Sequence, residues 1–584
     1  MFRTCWERSL HRLAHLFQGK TCRVGRSRER SFRPQVVALE DRTVPTVSVL
    51  SGFAGMDFPV SGGFVPPDTD AAAGPTQIIE VVNSTITIYT KAGVQLSQQP
   101  LDTFFGGGAT GLFDPVVSYD ELSKRFIVAA LQEDDATVTS FLWVAVSNNT
   151  TATGGFTEIQ KIDVKETVPS NLWGDYPKLG WNADAVVVTL NMFTFPAASA
   201  GGAIHAQIVT LQKTTLLDAN PATLTKFQVD RPEFTLAAAT MHGAVAGGPM
   251  YFVSAVGGNN VEVLKMTNIL NAAPTFAATT LAVNAYGATP LAVQLGAGGT
   301  IDAGDTRMLN AEWRGNKLVS SHTVGIGGVA TARWYQFNTA PAVPTLTQQG
   351  NITPGAGIHT YYPAIAIAAN GSLGMSYMQS SATQFVSMFV TGRLAGDALG
   401  TMEAAVLTKA GTKTYSDFSG PPHRAGDYSG IGIDPATGSF WAANEYATSA
   451  ANNNWGTWIT NFTINGVIII GGGGGGTIIG IGSLKLFNPL RYTYNAATGI
   501  YSGNLTITNI GTRTVTGPFT VVFPPPSSGI IVVNPTGYTA TGRPFITVSG
   551  ALGRRSSLHI AILLRNPSKV PLGTFFLGFP ITLQ

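Results

Sequence analysis

Acidic and aromatic residues recur at one kind of position along this chain, and residues of these types could do acid–base or cation chemistry. The stretch GDYSGIGIDPATGSFWAANEY, from Gly426 to Tyr446, sets Asp427 and Tyr428 ahead of a short apolar run. An Asp-Pro-Ala-Thr-Gly turn and a returning strand follow. FDPVVSYDELSKRFIVAAL from Phe113, GDYPKLGWNADAVVVTLNM from Gly174 and YYPAIAIAANGSLGMSYMQ from Tyr361 share the plan, and weaker copies begin at Pro66, Thr240 and Thr306. The residues at these starts are Asp68, Asp114, Asp175, Tyr176, His242, Arg307, Tyr361, Tyr362, Asp427 and Tyr428. If the starts share one rim, their oxygens could bind a sugar or hold Ca²⁺, which takes oxygen ligands. Glycosidic hydrolysis needs two carboxyls about 5–10 Å apart, and Asp114, Asp175 and Asp427 are the candidates. Asp also caps turns by accepting backbone N–H groups. A residue echoed in several repeats is more simply explained by that role, so Asp427 is expected to be mainly structural.

Other chemistry is thinly represented. There is no Gly-x-Ser-x-Gly elbow, no His-Glu-x-x-His pair and no Ser-x-Asp-x-Gly-x-x-Trp box. The acidic turns Asp68–Asp70, Glu133–Asp135 and Asp302–Asp305 could hold Ca²⁺ but lack EF-hand spacing, so solvated turns are expected. His242, His322, His359 and His423 each stand alone and read as structural. Trp173, Trp181, Trp334, Trp441, Trp455 and Trp458 could stack on sugars, but most are expected to pack between sheets. The only cysteines are Cys5 and Cys22, so no disulfide or thiolate metal site is expected beyond the N-terminal segment.

The elements that must position these residues are strands. Of 584 residues only 12% are charged, while 67 Gly and 33 Pro supply turns. Such a composition points to many short strands and an all-β fold. The seven starts are 47 to 66 residues apart, and each unit holds four strand-like runs. That is the signature of a β-propeller with seven blades; an array of two-sheet sandwiches is the competing architecture. The last unit is one strand short, and TVSVLSGF near Thr46 could complete it and remove an open edge. Six consecutive glycines, Gly471–Gly476, mark a flexible linker. They lack the Lys-Ser/Thr of a phosphate-binding loop. After them, strand runs every 10–20 residues predict an immunoglobulin- or fibronectin-like sandwich. The expected domains are a basic segment over 1–45, a seven-bladed propeller over 46–466, a linker over 467–482 and the sandwich over 483–584.

Charge is uneven. Residues 1–45 hold ten Lys/Arg and four Asp/Glu, and residues 483–584 hold eight Lys/Arg and no acid, which leaves a middle of net charge −11. An acidic main domain argues against nucleic-acid binding. The basic C-terminal part could touch an anionic polymer. No run long enough for a transmembrane helix is present.

Three resemblances add expectations. Leu39-Glu40-Asp41-Arg42 with Pro45 resembles the LEDR-type N-terminal signature of exported bacterial proteins, which implies secretion or display at the cell surface. PPDTDAAAGPTQIIEVVN with the GDY elements resembles a loose family of secreted bacterial propellers of mostly unassigned function. TITNIGTRTVTGPFTVVF is similar to sandwich domains of bacterial surface proteins, usually spacers or adhesive modules. Together they suggest an extracellular binding or scaffold protein for a polysaccharide or cell-envelope polymer. The alternative is a glycan hydrolase or lyase acting at the propeller channel.

Overall fold

In a computed structural model, the described residues are 42–566 and 582–583, except 169, 200, 219–222, 450–453, 470–477, 482–483, 488–492, 510–513, 517–518, 523–530 and 539–543. The expected basic segment up to residue 41 and the run of glycines lie outside them.

Alternation of apolar and small polar residues makes strands almost everywhere, and short Gly, Asn and Asp turns fold them into antiparallel meanders. β1 spans Arg42–Asp57. The first sheet follows as β2 (Asp70–Ala73), β3 (Gln77–Val82), β4 (Thr85–Thr90) and β5 (Gln95–Pro100). The second is β6 (Phe113–Asp120), β7 (Arg125–Asp134), β8 (Thr139–Val146) and β9 (Glu158–Asp163). The third is β10 (Leu172–Trp181), β11 (Ala185–Thr194), β12 (His205–Gln212) and β13 (Lys226–Arg231), and the fourth β14 (Ala237–His242), β15 (Met250–Gly257), β16 (Asn260–Thr267) and β17 (Thr275–Ala282). After the short β18 (Ile301–Asp302) comes a fifth sheet, β19 (Met308–Arg314), β20 (Lys317–Ile326), β21 (Val329–Asn338) and β22 (Thr345–Asn351). The sixth is β23 (His359–Ile367), β24 (Leu373–Ser381), β25 (Gln384–Arg393) and β26 (Val406–Lys409). β27 (His423–Arg424) pairs in parallel with β18, and the seventh sheet holds β28 (Gly430–Ile433), β29 (Phe440–Thr448) and β30 (Asn454–Ile469).

The seventh sheet has the order β1-β30-β29-β28. Its outermost strand therefore comes from the other end of the chain, with Val47 opposite Ile464 and Phe53 opposite Ile459. The strand missing from the last repeat is the one near Thr46. β1 begins at Arg42 and β30 ends at Ile469, a few residues beyond the span expected for the repeats.

The first strands of successive sheets adjoin in order: β2 with β6, β6 with β10, β10 with β14, β14 with β19, β19 with β23, β23 with β28, and β28 with β2 again. Parallel pairings reinforce two of these contacts, Trp181 opposite Thr240 and Ala239 opposite Ala311. A closed ring of meanders around one axis is a β-propeller. Its core lies between neighbouring sheets, where Trp181, Trp334 and Trp455 are fully buried and Trp173 and Trp441 nearly so. Among the described C-terminal residues, three further sheets are built around Ile500–Asn509 paired with Ser557–Arg565, Phe519–Val522 paired with Pro544–Val548, and Val515–Thr516 paired with Ala551–Leu552.

Candidate functional site

The first strands share a backbone device. Asp68, Asp114, Tyr176, Thr235 and Tyr362 all have left-handed backbone, with φ between 47° and 57°. Each stands two residues before the point where regular pairing with the second strand begins or resumes, at Asp70, Val116, Lys178, Ala237 and Ala364. A left-handed non-glycine residue is strained, so its repetition marks a common construction. Tyr428 holds the same register, two residues ahead of Gly430 opposite Ala443. Asp427 is thus the counterpart of Asp175, while Asp114 and Tyr362 correspond to Tyr176 and Tyr428.

This device gathers most of the residues picked out by sequence. Asp68 is nearly fully buried, and Asn83 Nδ2 donates to its Oδ2 at 2.5 Å. The other side of Asn83 accepts the Asp114 backbone N–H at 2.7 Å. Asp114 stands near both Asp68 and Asp175, so carboxyls from three sheets perturb one another. Burial first, then mutual repulsion, raises the pKa of each well above the ordinary carboxyl range.

Asp427 differs. Arg424 Nη2 donates to its Oδ2 at 2.5 Å. Burial raises its pKa, while the Arg424 and Arg307 guanidiniums act in the opposite direction. The expected caps on backbone amides are found elsewhere. Asp70 accepts from Ala71 and Val117 N–H at 2.8 and 2.9 Å, and Asp175 from Tyr176 N–H at 2.8 Å. For Asp427 the described partner is a guanidinium, which corrects the amide-capping account of that residue.

Beside this group lies a chamber of about 290 Å³ lined by Tyr176, Asp302, Gly304, Asp305, Arg307, Leu309, Thr323, Tyr362, Arg424 and Asp427. Arg307 grips Asp305 through two nitrogens at 2.8 and 2.7 Å and lies 4.2 Å over the Tyr176 ring. Tyr176 OH donates to the Asp427 carbonyl at 2.9 Å, and Tyr362 OH to the Asp302 carbonyl at 3.3 Å. Tyr176 meets Tyr428 edge to face at 5.5 Å. Lys178 Nζ sits 4.1 and 4.2 Å from these two rings, and burial beside Arg307 pulls its pKa down to about 7. Tyr428, Lys178 and Asp70 line a second, smaller cavity of about 80 Å³. Asp70 titrates at about 7 and Glu445 at about 8, both raised by burial.

Two of the picked residues stand apart. Tyr361 is turned into the sixth sheet, its hydroxyl 3.0 Å from Ser380 Oγ. His242 ends β14, at the far end of the first strand from Thr235. It lies 3.3 Å from Glu121 and 3.5 Å from Glu312, with its ring edge-on to Trp181. The rim position of the fourth sheet is Thr235, seven residues before His242, and Thr235-Leu236 carries neither acid nor proline to mark it. Sequence reasoning missed Lys178, Arg424 and Glu445. Lys178 was findable, as it follows Tyr176 at the strand period of two. In the acidic turns, Asp134 accepts Ala136 N–H at 2.8 Å and Asp302 accepts Gly304 N–H at 2.9 Å, while Asp135 accepts the more distant Ala197 N–H at 2.5 Å.

Among the described residues no helix is long and apolar enough to cross a membrane. No family model matches the chain, and no curated protein does. Solved structures similar to it include a protein of unknown function from Dyadobacter fermentans, at 10% identity and TM-score 0.35 over 72% of this chain and 99% of that one. A Trypanosoma rangeli sialidase is similar at 9% identity and TM-score 0.32, over 83% and 86%. The GH93 α-L-arabinofuranosidase of Fusarium graminearum is similar at 8% identity and TM-score 0.32, over 71% and 98%.

Proposed function

We propose that this chain is a glycan hydrolase built on a seven-bladed β-propeller, with its site at the mouth of the channel where the first strands begin. The observation that carries the reading is the set of carboxyls: burial raises the pKa of Asp68, Asp114 and Asp175 well above the ordinary range, while Asp427 accepts from Arg424. Hydrolysis of a glycosidic bond needs a protonated acid on one side and an ionised carboxyl on the other. In this reading Asp114 or Asp175 protonates the leaving oxygen, and Asp427 is the nucleophile or activates water. The chamber also suits a neutral, polyhydroxylated ligand. Its guanidiniums are balanced by carboxylates, so donors and acceptors alternate without a strong net field, and Tyr176 and Tyr362 offer apolar faces.

The remaining parts fit an extracellular protein. The proposal places an export segment over 1–45, a linker over 467–482 and a sandwich over 483–584 as spacer or adhesive module. Secretion or cell-surface display would bring the propeller to a polysaccharide or envelope polymer.

A second reading, a glycan-binding scaffold without turnover, is favoured by the repeated left-handed position of Asp68 and Asp114, which ties these acids to a construction shared by other sheets. Incubating the purified protein with a panel of polysaccharides separates the two. Released reducing sugars that vanish in Asp427→Asn and Asp114→Asn support the hydrolase. Binding with no released sugar supports the scaffold.

A further inference from the structure

We propose that the outer edge of the third sheet carries a zinc site made by Glu166, His205 and Asp230, remote from the channel.

The three residues come from three segments. His205 opens β12, Asp230 lies in the neighbouring strand β13, and Glu166 belongs to the turn before β10, where its backbone pairs with Leu172. Strand geometry brings them together. His205 and Gln207 share a face of β12 at the period of two, and Gln207 stands opposite Asp230.

His205 Nε2 is 3.1 Å from Glu166 Oε1 and 3.9 Å from Asp230 Oδ1, and the three ligand atoms all lie within 4.8 Å of one another. Zinc bonds His nitrogen and carboxylate oxygen at about 2.0–2.2 Å, so a tetrahedral site spaces its ligands by about 3.3 Å. One contact already has that spacing. The two contacts of Asp230 are longer, and closing them takes a movement of its side chain, which is 60% exposed.

A second observation points the same way. Gln207 is nearly fully buried, and its Nε2 donates to Glu166 Oε1 at 2.8 Å. Its Oε1 has no partner. An amide oxygen left bare at a buried position is unfavourable and offers a further ligand or an anchor for a zinc-bound water. Imidazole among the ligands favours zinc over Ca²⁺ or Mg²⁺, which take oxygen.

Zinc titration of the chelator-treated full chain, followed by calorimetry, tests the proposal. Wild type is expected to bind one zinc ion that His205→Ala and Asp230→Asn each bind more weakly by about tenfold or more. Asp230→Asn changes an exposed side chain, so a loss of zinc there with unchanged melting in the absence of metal cannot be put down to misfolding. Co²⁺ in wild type should show the intense visible absorption of tetrahedral coordination, and Asp230→Asn should weaken it. Wild type that takes up no zinc, or variants that bind zinc as wild type does, would overturn the site and leave Glu166 and His205 as an ordinary hydrogen-bonded pair.

Discussion

Replacing Glu80 by Gln should make the protein more stable at neutral and alkaline pH and leave it almost unchanged in mild acid. Glu80 is the one charged residue in the apolar strand QIIEVV and is fully buried. Its Oε2 accepts Met56 N–H at 3.0 Å and Tyr89 OH at 3.1 Å, and Thr457 Oγ1 lies 2.5 Å from Oε1. Glu80 thus fastens the first sheet to both β1 and β30. Burial pushes its pKa from an ordinary 4.5 to about 7, against the pull of those three donors. The folded state therefore binds the proton more tightly than the unfolded state, and stability falls as pH rises from 4.5 through 7. That displacement corresponds to about 3 kcal/mol. Gln keeps every bond. Its oxygen accepts from Met56 and Tyr89, and its amide donates to Thr457, whose own hydroxyl can donate to the Met56 carbonyl at 3.0 Å. Melting temperatures measured from about pH 5 to about pH 8 should diverge, with the variant ahead at the upper end by a few degrees. Parallel curves, or a variant that is weaker throughout, would refute the account of Glu80 as a buried group that resists ionisation.

Further outcomes concern the ring and the chamber. Gly180→Ala should destabilise by about 1–3 kcal/mol or more, because its Cβ would stand 2.6 Å from the Ala239 carbonyl oxygen, where β10 adjoins β14; thermal melting reads this directly. Asp427→Ala should cost under about 1 kcal/mol of stability, as its partner Arg424 is 43% exposed and such pairs are weak, yet abolish sugar release in the polysaccharide assay. For Lys178, the folded amine loses its proton near 7 while an unfolded lysine keeps it to about 10.5. Wild-type stability should therefore gain between these values relative to Lys178→Met, as pH-resolved chemical denaturation would show. A chain lacking residues 1–57 should expose the edge of β30 and self-associate, which light scattering would detect.

The ring was legible because its first strands repeat a pattern that physics enforces. A tight rim turn calls for Pro or Gly, and a strand covered on both faces calls for apolar alternation. Asp68, Asp114, Asp175, Arg307, Tyr362 and Asp427 could be gathered from that pattern alone. The fourth sheet breaks it, since its rim residue is Thr235, and His242 was taken instead from the other end of the strand. Chemistry at the rim was less legible. That Asp427 meets Arg424 while Asp175 meets an amide depends on β27, a two-residue strand that no periodicity announces. The cluster of Glu166, His205 and Asp230 was invisible for a related reason. Its members are far apart in sequence and converge only through the register of β12 and β13.

The pairing of β1 with β30 sets a clock on maturation. Val47 and Ile464 are partners across 417 residues of chain. At about 5–20 residues per second of synthesis, β1 waits on the order of 20–80 s before its partner exists. Throughout that interval the Val-Ser-Val-Leu run of β1 and the open flank of the first sheet have no native cover. The vulnerable species is therefore every chain length between the first sheet and the synthesis of β30. Whatever guards it against wrong pairing must act over that whole interval, until the two ends of the ring meet.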